Sequence, residues 1–312
     1  MIGGALRGVR VLDVATLYPA PLLAAMLGDL GADVVKVEAP TGDPLRSMGV
    51  APWSVAGRNK RSVVVDFDAD DGRSLLHRLT AVTDVVVFNQ PAWVLARWEC
   101  RDPDVTARNP RAIVVHVSAF GSAGPYAGRA GNGTLAEAFI GLPADFGVPL
   151  GDTVGAIHGV TDVLAALHWR DHDGEGAGRV VDVTLYEALL PFLAPALAGV
   201  ERGVTVRERY AGRDGRPVAI SATTPAQVAR LRELAGTDVA DWVTPRSAEE
   251  AVEELVAARV PAVIVNDLAS LRTDPHVVAR GSLRPPGRAA PSLGEHTAEV
   301  VEEWLHEGND AP

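Results

Sequence analysis

The chain has 312 residues, of which 47% are hydrophobic, 22% charged and only 5% aromatic, and its formal net charge is −11. This composition is globular, and the length allows two domains or one large α/β domain with a smaller partner. The negative charge argues against nucleic acid or a membrane surface as a partner, because both need a cationic face. With one cysteine, Cys100, no signal-peptide pattern and no long apolar run, we expect a cytoplasmic protein.

Short apolar runs and helical patterns alternate through the first 200 residues. Continuous runs of valine and isoleucine separated by helices are typical of a parallel sheet covered on both faces. The sequence therefore predicts a Rossmann-like α/β domain. The predicted strands are 9–14, 33–38, 62–67, 84–89, 112–119 and 179–185, and the predicted helices are 21–31, 68–82, 91–98, 156–171 and 186–200.

The composition changes in the second part of the chain. Residues 1–200 form the predicted large domain, and residues 201–216, charged and interrupted by glycine, predict a linker. Residues 217–283 predict a second, smaller α/β domain. The C-terminal segment 284–312 contains an amphipathic helical pattern at 296–308, which we expect to return to the large domain.

Two loops at predicted strand or helix ends are candidates for a ligand site. The first, ATLYPAP (15–21), follows the first strand but lacks the G-x-G-x-x-G pattern, so a nicotinamide or flavin dinucleotide loses its main support. The second, PLGDTVGAIHG (149–159), places Asp152 between glycines before a long apolar helix. This aspartate is either a helix N-cap or a carboxylate held at a helix start for chemistry.

Six separated motifs resemble, in order, the class III coenzyme A transferases, or CaiB/BaiF family, which includes formyl-CoA transferase and the α-methylacyl-CoA racemases. The resemblance runs from residue 6 to about residue 301. The motifs are LRGVRVLDVATLYPAPLLAAMLGDLGADVVKVEAP, GRNKRSVVVDFDADDGRSLLHRL, ARNPRAIVVHVSAFGSAGPYAGRAG, GAGRVVDVTLYEALL, VNDLASLRTDPHVVARG and LGEHTAEV.

The resemblance implies a mechanism in which Asp152 is the nucleophile. It implies attack on an acyl-CoA thioester, a covalent aspartyl intermediate, and transfer of CoA to a small carboxylic acid. It also implies an interlocked homodimer. The expected substrate is a CoA thioester, and no tightly bound cofactor is expected. No cluster of His, Asp or Glu has metal-ligand spacing, so no metal is expected. The Arg-rich, Ala/Val/Gly-heavy composition suggests a bacterial source with a GC-rich genome.

Other site residues follow from the same resemblance. The first loop maps to the active-site wall, and Asn89 matches a family asparagine that contacts CoA. The dense basic cluster at 58–61 is a candidate for the CoA phosphates. The full set of expected substrate- or CoA-binding residues is Thr16, Tyr18, Pro19, Ala20, Arg58, Lys60, Arg61, Asn89, Asn132 and Glu137.

Departures from the family pattern leave alternatives open. The loop between Gly141 and Gly151 is short, and the family's His-Pro signature and mobile glycine-rich loop are missing between Gly199 and Tyr210. A contracted scaffold acting as a lyase or isomerase, with Asp152 as general base, is the main alternative. A racemase is less favoured because Asn132 stands where racemases carry a histidine, and a non-catalytic binding subunit is the remaining possibility.

Overall fold

The structure is a computed structural model, and it describes residues 4–142, 147–194, 198–199, 205–283 and 287–306. The chain divides into two compact units. The first contains Met1–Ala194 and Pro286–Pro312, and the second contains Pro195–Pro285. Within the described ranges, no helix combines the length and apolar character that crossing a membrane requires.

Six parallel strands form the sheet of the first unit, in the order β3-β2-β1-β4-β5-β6. This order is that of a doubly wound sheet, and the predicted parallel sheet is confirmed. The third strand begins two residues earlier than predicted and ends at Val64. The strands are β1 Arg10–Asp13, β2 Asp33–Glu38, β3 Lys60–Val64, β4 Val85–Phe88, β5 Ile113–Ser118 and β6 Val180–Thr184.

Helices cover both faces of this sheet. Alternate residues of one strand face opposite sides, so Val85 and Val87 pack into one hydrophobic layer while Val86 and Phe88 pack into the other. Two short 3₁₀ turns, Pro44–Met48 and Leu190–Phe192, complete the unit's first part. The helices are α1 Pro19–Asp29, α2 Val50–Ala56, α3 Asp70–Ala81, α4 Ala92–Arg97, α5 Asp102–Arg108, α6 Gly133–Phe139, α7 Leu150–His172 and α8 Leu185–Leu189.

The second unit contains a three-stranded antiparallel sheet, in the order β7-β8-β9, with its own buried apolar core. Its strands are β7 Val206–Ala211, β8 Pro217–Ala222 and β9 Ala262–Ile264. Its helices are α9 Pro225–Ala235, α10 Val239–Val243, α11 Ala248–Ala257, α12 Leu268–Thr273 and α13 Pro275–Arg280.

The predicted linker 201–216 is wrong where the structure describes it. Residues Val206–Ala211 form β7, which pairs along its whole length with β8. This strand lies at the sheet edge and exposes most of its side chains, so its charged composition resembles that of a linker. Residues 201–204 lie outside the described residues.

The last helix, α14 Thr297–His306, packs against β3 and α3 of the first unit. Trp304 is buried there, and its Nε1 donates a hydrogen bond of 2.8 Å to Oδ2 of Asp33. The helix predicted at 296–308 begins at Thr297 and is described as far as His306. Residues 307 and 308 lie outside the described residues.

Two other predicted helices differ from the structure. The helix predicted at 156–171 begins at Leu150, so Asp152 lies inside its first turn and not before it. The helix predicted at 186–200 ends at Leu189 and gives way to a 3₁₀ turn that contains Pro191, whose ring cannot continue an α-helix. Residues 195–197 and 200 of this predicted helix lie outside the described residues, as do residues 143–146 of the short loop between Gly141 and Gly151.

Both lysines of the chain are fully buried, and their ammonium groups lie near Asp13 at the end of β1. Lys60 Nζ is 2.6 Å from Oδ2 of Asp13 and donates to the carbonyl oxygen of Pro21 at 2.7 Å. Lys36 Nζ is 3.0 Å from Oδ2 of Asp43 and 3.6 Å from Oδ1 of Asp13. Burial lowers the pKa of Lys60 to about 8, whereas the carboxylates around Lys36 outweigh burial and raise its pKa.

This buried network fixes the loop that follows β1. Lys36 also donates to the carbonyl oxygen of Ala15, and Oδ1 of Asp43 accepts a hydrogen bond of 3.0 Å from the backbone N–H of Leu17. Leu17 has a φ of 66°, a left-handed conformation that a leucine rarely adopts without such support. The buried side chains of Lys36 and Asp43 therefore hold the backbone of this loop in place.

We predict that Asp13→Asn destabilises the protein by about 3 kcal/mol, because it leaves the buried Lys60 without a charged partner. Urea unfolding of the variant and the wild type measures the effect. The matched control is Asp68→Asn, which removes the carboxylate of an exposed pair with Arg97 and should change the unfolding free energy by less than about 0.5 kcal/mol. Equal effects of the two substitutions would contradict a structural role for the buried network.

Candidate active site

The start of α6 and the start of α7 bond to each other through two carboxylates. Oδ1 of Asp152, in the first turn of α7, accepts a hydrogen bond of 2.8 Å from the backbone N–H of Gly133, the first residue of α6. In return, Oε1 of Glu137 accepts a hydrogen bond of 2.7 Å from the backbone N–H of Gly151. Each helix thus satisfies a backbone donor that the other cannot satisfy internally.

The N-cap interpretation of Asp152 is therefore wrong. The N-cap of α7 is Pro149, and Asp152 is the third residue of the helix. Its side chain bonds to α6 and not to its own first turn. The helix dipole still favours a negative charge at this position.

Glycine is required where the two helices meet. A Cβ on Gly133 would lie 2.5 Å from the backbone nitrogen of Asp152 and 2.7 Å from its Cγ. A Cβ on Gly151 would lie 2.7 Å from the carbonyl oxygen of Gly133. Backbone atoms cannot move away cheaply at such distances, so the absence of both side chains fixes the position of the carboxylate.

Burial raises the pKa of Asp152 above its ordinary value. The hydrogen bond from Gly133 opposes this shift, and the nearby charge of Glu137 adds to it. Of the two carboxylate oxygens of Asp152, only Oδ1 has a hydrogen-bond partner among the described residues, so Oδ2 remains available to a ligand. A carboxylate with limited solvation and one available oxygen is suited to nucleophilic attack or proton transfer.

Asp152 lies in the wall of a cavity of about 720 Å³. The cavity opens at the carboxyl ends of the parallel strands, where ligands bind in this architecture, and its volume fits a small-molecule site. Its wall is formed by the loops after β1 and β4, the start of α5, the end of β5, the segment 121–132 and parts of α7, β6 and α8.

The structure brings most of the loop residues predicted from sequence to this cavity. Its wall contains Thr16, Tyr18, Pro19, Asn89, Asn132 and Asp152. The amide of Asn89 is engaged with the loop, because its Oδ1 accepts from the backbone N–H of Thr16 at 2.9 Å and its Nδ2 donates to the carbonyl oxygen of Thr16 at 2.7 Å. Asn89 therefore positions the first loop, whatever contact it makes with a ligand.

The predicted basic cluster does not reach the cavity. Arg58 pairs with Asp29 and Lys60 is fully buried. Arg61 is engaged by three carboxylates, those of Asp33, Glu299 and Glu303. The three cations are engaged by partners within the first unit and do not line this cavity, so their contact with CoA phosphates stays a prediction.

Two further predicted residues lie outside the cavity wall. Ala20 is fully buried in α1. Glu137 is also buried and acts on Asp152 through Gly151 and through its charge, so it supports the site without lining it.

Several polar residues of the cavity were not predicted from sequence. His116 Nε2 lies 2.5 Å from Oδ1 of Asp102, and Oδ2 of Asp182 accepts from the backbone N–H of Ser122 at 2.8 Å. Arg101 and Arg129 also line the wall. The available signal was a polar side chain inside an apolar strand, since His116 interrupts the run AIVVHVSA, whereas the arginines lie in loops without a periodic pattern.

The polar groups near Asp152 limit the chemistry available to it. Oδ1 of Asn132 accepts a hydrogen bond of 3.1 Å from the backbone N–H of Leu135 and caps α6. An amide in this role cannot remove the α-proton of a substrate, which weighs against a two-base racemase. Across the described residues, no three His, Cys, Asp or Glu side chains are grouped so that they could hold a metal ion.

Comparison with known proteins identifies the class. The model of CoA-transferase family III matches residues 6–241, and the chain therefore belongs to this family. The relatives described below are named CoA-transferases, which supports an enzyme of this class. The match covers the whole first sheet, the starts of α6 and α7, and the beginning of the second unit.

Individual relatives agree with this assignment. The α subunit of succinyl-CoA–L-malate CoA-transferase from Chloroflexus aurantiacus is 30% identical over an alignment 382 positions long, which covers 96% of this chain and 89% of the relative. Succinate–glutarate CoA-transferase from Agrobacterium fabrum is 26% identical, with 96% of this chain and 95% of the relative covered. Both alignments are longer than this chain, so the relatives contain insertions that it lacks.

A solved structure shows the same fold. A CaiB/BaiF family protein from Brucella suis superposes with a TM-score of 0.83 at 26% identity, covering 96% of this chain and 99% of that one. The recognition of the CaiB/BaiF family from sequence motifs is therefore confirmed.

We predict that Gly133→Ala lowers CoA-transfer activity at least about 100-fold, because the new Cβ displaces the carboxylate of Asp152 from its position. Steady-state kinetics measure the loss, and a melting curve shows that the variant is folded. Thr134→Ala, at the exposed next position of α6, is the control and should keep wild-type activity. Full activity of Gly133→Ala would show that the close approach is not needed.

We predict that Asp152→Asn stabilises the protein at pH 7 by about 1 kcal/mol, which corresponds to roughly 2–4 °C in Tm. The pKa of Asp152 is raised in the folded state. Above that pKa the ionised carboxylate is therefore less favourable in the fold than in the unfolded chain. Asparagine removes this cost and keeps an oxygen for the Gly133 N–H.

The pH dependence tests the cause. The stability difference between Asp152→Asn and wild type should shrink as the pH falls through the raised folded pKa, and vanish below the unfolded value of about 3.9. Melting curves of both proteins from pH 7 to pH 3.5 measure it. A variant less stable than wild type at pH 7 would contradict a buried, poorly solvated carboxylate.

Proposed function

We propose that the protein transfers CoA from an acyl-CoA thioester to a free carboxylic acid through a covalent intermediate on Asp152. The observation that carries this proposal is the half-buried carboxylate in the cavity wall, held by one oxygen and with its pKa raised. Membership of the CoA-transferase family supports the reaction class. The succinyl-CoA named for the relatives is the first donor to test.

The first half-reaction loads CoA onto the enzyme. Oδ2 of Asp152 attacks the thioester carbonyl carbon, and the carbon–sulfur bond breaks to give a mixed anhydride and the CoA thiolate. The thiolate then attacks the aspartyl carbonyl carbon of the anhydride. The donor acid leaves as its carboxylate, and Asp152 remains as an aspartyl-CoA thioester.

The second half-reaction repeats these steps with the acceptor. An oxygen of the acceptor carboxylate attacks the aspartyl thioester and expels the thiolate, which forms a second mixed anhydride. The thiolate then attacks the acyl carbon of the acceptor, and the Asp152 carboxylate is regenerated. Each step replaces one acyl bond by another, so no net proton transfer is required.

The chain's own groups match these demands. The Gly133 N–H keeps Oδ1 in place, and the second oxygen of this cavity-lining residue has no hydrogen-bond partner among the described residues. The same donor and the first turn of α7 favour negative charge on oxygen as each tetrahedral intermediate forms. Glu137 keeps the start of α7 in register through its bond to Gly151.

The proposal includes an interlocked homodimer that works in the cytoplasm without a tightly bound cofactor. The homodimer is supported by the resemblance to the family and by the apolar segment after α8, where the side chains of Leu190 and Phe192 are 38% and 58% exposed in the single chain. The cytoplasmic location is supported by the single cysteine, since a reducing compartment fits a chain in which no disulfide can form between two of its own cysteines.

The test is the intact mass of the protein after brief incubation with a panel of short acyl-CoAs that includes succinyl-CoA. We expect a mass increase that matches an acyl or CoA adduct and that hydroxylamine removes. Asp152→Asn should form no adduct. Asp162→Asn, on the exposed side of the same helix, is the matched control and should form the adduct like wild type.

Two results would contradict the proposal. An adduct that persists in Asp152→Asn would place the nucleophile elsewhere. Activity without any adduct, lost in Asp152→Asn, would favour the alternative in which a contracted scaffold uses Asp152 as general base on a small carboxylic metabolite.

A further inference from the structure

Glu137 is a buried carboxylate that the described residues leave without a cation. Its side chain is 3% exposed, and among those residues it forms no ion pair with a lysine, arginine or histidine. The other buried acidic side chains in the described part of the chain, Asp13, Glu38 and Asp43, each face a lysine or an arginine. A buried charge costs stability unless a counter-ion and hydrogen bonds compensate it.

Two backbone hydrogen bonds hold the carboxylates of Glu137 and Asp152 near each other. Oε1 of Glu137 accepts from the N–H of Gly151 at 2.7 Å, and Gly151 directly precedes Asp152. Gly133, whose N–H bonds Oδ1 of Asp152 at 2.8 Å, lies about one turn before Glu137 in α6. The same pair of helix starts therefore fixes two negative side chains in one region.

The other titratable side chains around α6 and α7 have partners of their own. After Asp152 the next one on α7 is His158, which pairs with Asp162 at 3.1 Å. Burial raises the pKa of Asp152, and the charge of Glu137 adds to this rise. On the elements that pack against α6 and α7, the titratable side chains and their partners are Asp29 with Arg58, His116 with Asp102, Asp182 with Ser122 and Glu187 with Tyr186.

Loading of CoA removes the negative charge of Asp152. In the aspartyl-CoA thioester, the loaded enzyme, this side chain is an acyl group without a charge, and the negative charge has left with the carboxylate of the donor acid. Repulsion between Glu137 and Asp152 is therefore present in the free enzyme and absent in the loaded enzyme. Its relief shifts the equilibrium towards the loaded enzyme.

We propose that Glu137 is a positioning residue whose buried charge disfavours the free carboxylate of Asp152 and so favours the covalent aspartyl-CoA enzyme. This inference rests on the proposed transfer reaction at Asp152 and adds the group that sets the balance between free and loaded enzyme. Glu137 is buried outside the cavity wall, so it acts through Asp152 and not on the substrate.

The test is the fraction of loaded enzyme at equilibrium in the wild type and in Glu137→Gln. Each protein is incubated with equal concentrations of an acyl-CoA that loads the wild type, succinyl-CoA first, and of its free acid. Intact mass then separates free from loaded enzyme. We expect the ratio of loaded to free enzyme to fall about 10-fold in Glu137→Gln. Glutamine keeps an oxygen for the Gly151 N–H, so only the charge is removed.

The pH profile of kcat/KM for the same acyl-CoA separates an effect of charge from a structural effect. Asp152 attacks in its ionised form, so activity falls as the pH drops through its raised pKa. Removing the charge of Glu137 lowers that pKa. The acid limb of Glu137→Gln should therefore lie about 0.5 to 1 pH unit below that of the wild type.

Glu187→Gln is the matched control, because it removes an exposed carboxylate on α8, which also packs against α6. It should change neither the loaded fraction nor the acid limb, since solvent screens its charge. Glu137→Asp keeps the charge and should retain a larger loaded fraction than Glu137→Gln. Melting curves should find Glu137→Gln at least as stable as the wild type, because it removes a buried charge without a counter-ion.

The outcomes separate this inference from the proposed function. Equal loaded fractions and coincident pH profiles in wild type and Glu137→Gln would overturn the inference and leave the covalent mechanism intact. An unfolded or less stable Glu137→Gln would also overturn it, because the charge would then serve the fold. A wild-type enzyme that no acyl-CoA of the panel loads would refute the proposed function and this inference together.

Discussion

The reciprocal bonding of two helix starts is the constraint on which the site depends. Asp152 is bound by the first N–H of α6, and Glu137 is bound by an N–H in the first turn of α7. The arrangement places two carboxylates near each other in a half-buried setting and raises the pKa of Asp152. It is possible only because residues 133 and 151 have no side chains. Stability is thus given up at the position where reactivity is needed.

A second constraint acts on the part of the cavity wall that the loop after β1 forms. The loop after β1 passes over the buried charges of Lys36, Asp13 and Asp43, and its residue Leu17 adopts a left-handed backbone conformation. Asn89, from the end of β4, bonds the same loop from the side. The cavity lining therefore combines a part built from strand ends and a part built from helix starts, and buried or half-buried polar groups hold each of them.

The parallel sheet could be predicted from the sequence because apolar periodicity is local. The place of Asp152 in the candidate site could be predicted because the family motifs around it are contiguous. The contacts of the basic cluster could not, because Arg61 reaches carboxylates of α14 more than two hundred residues away. The edge strand β7 was missed since its exposed charges resemble those of a loop.

The most direct test of the covalent account follows one oxygen atom. In the proposed sequence the acceptor's attacking oxygen stays on Asp152 when the thiolate takes the acyl group. After turnover with an acceptor labelled with oxygen-18 in its carboxylate, mass spectrometry of proteolytic fragments should find heavy oxygen in the fragment that contains Asp152. Turnover that leaves this fragment unlabelled would contradict the aspartyl intermediate, since neither direct transfer between substrates nor general base catalysis exchanges an oxygen with the enzyme.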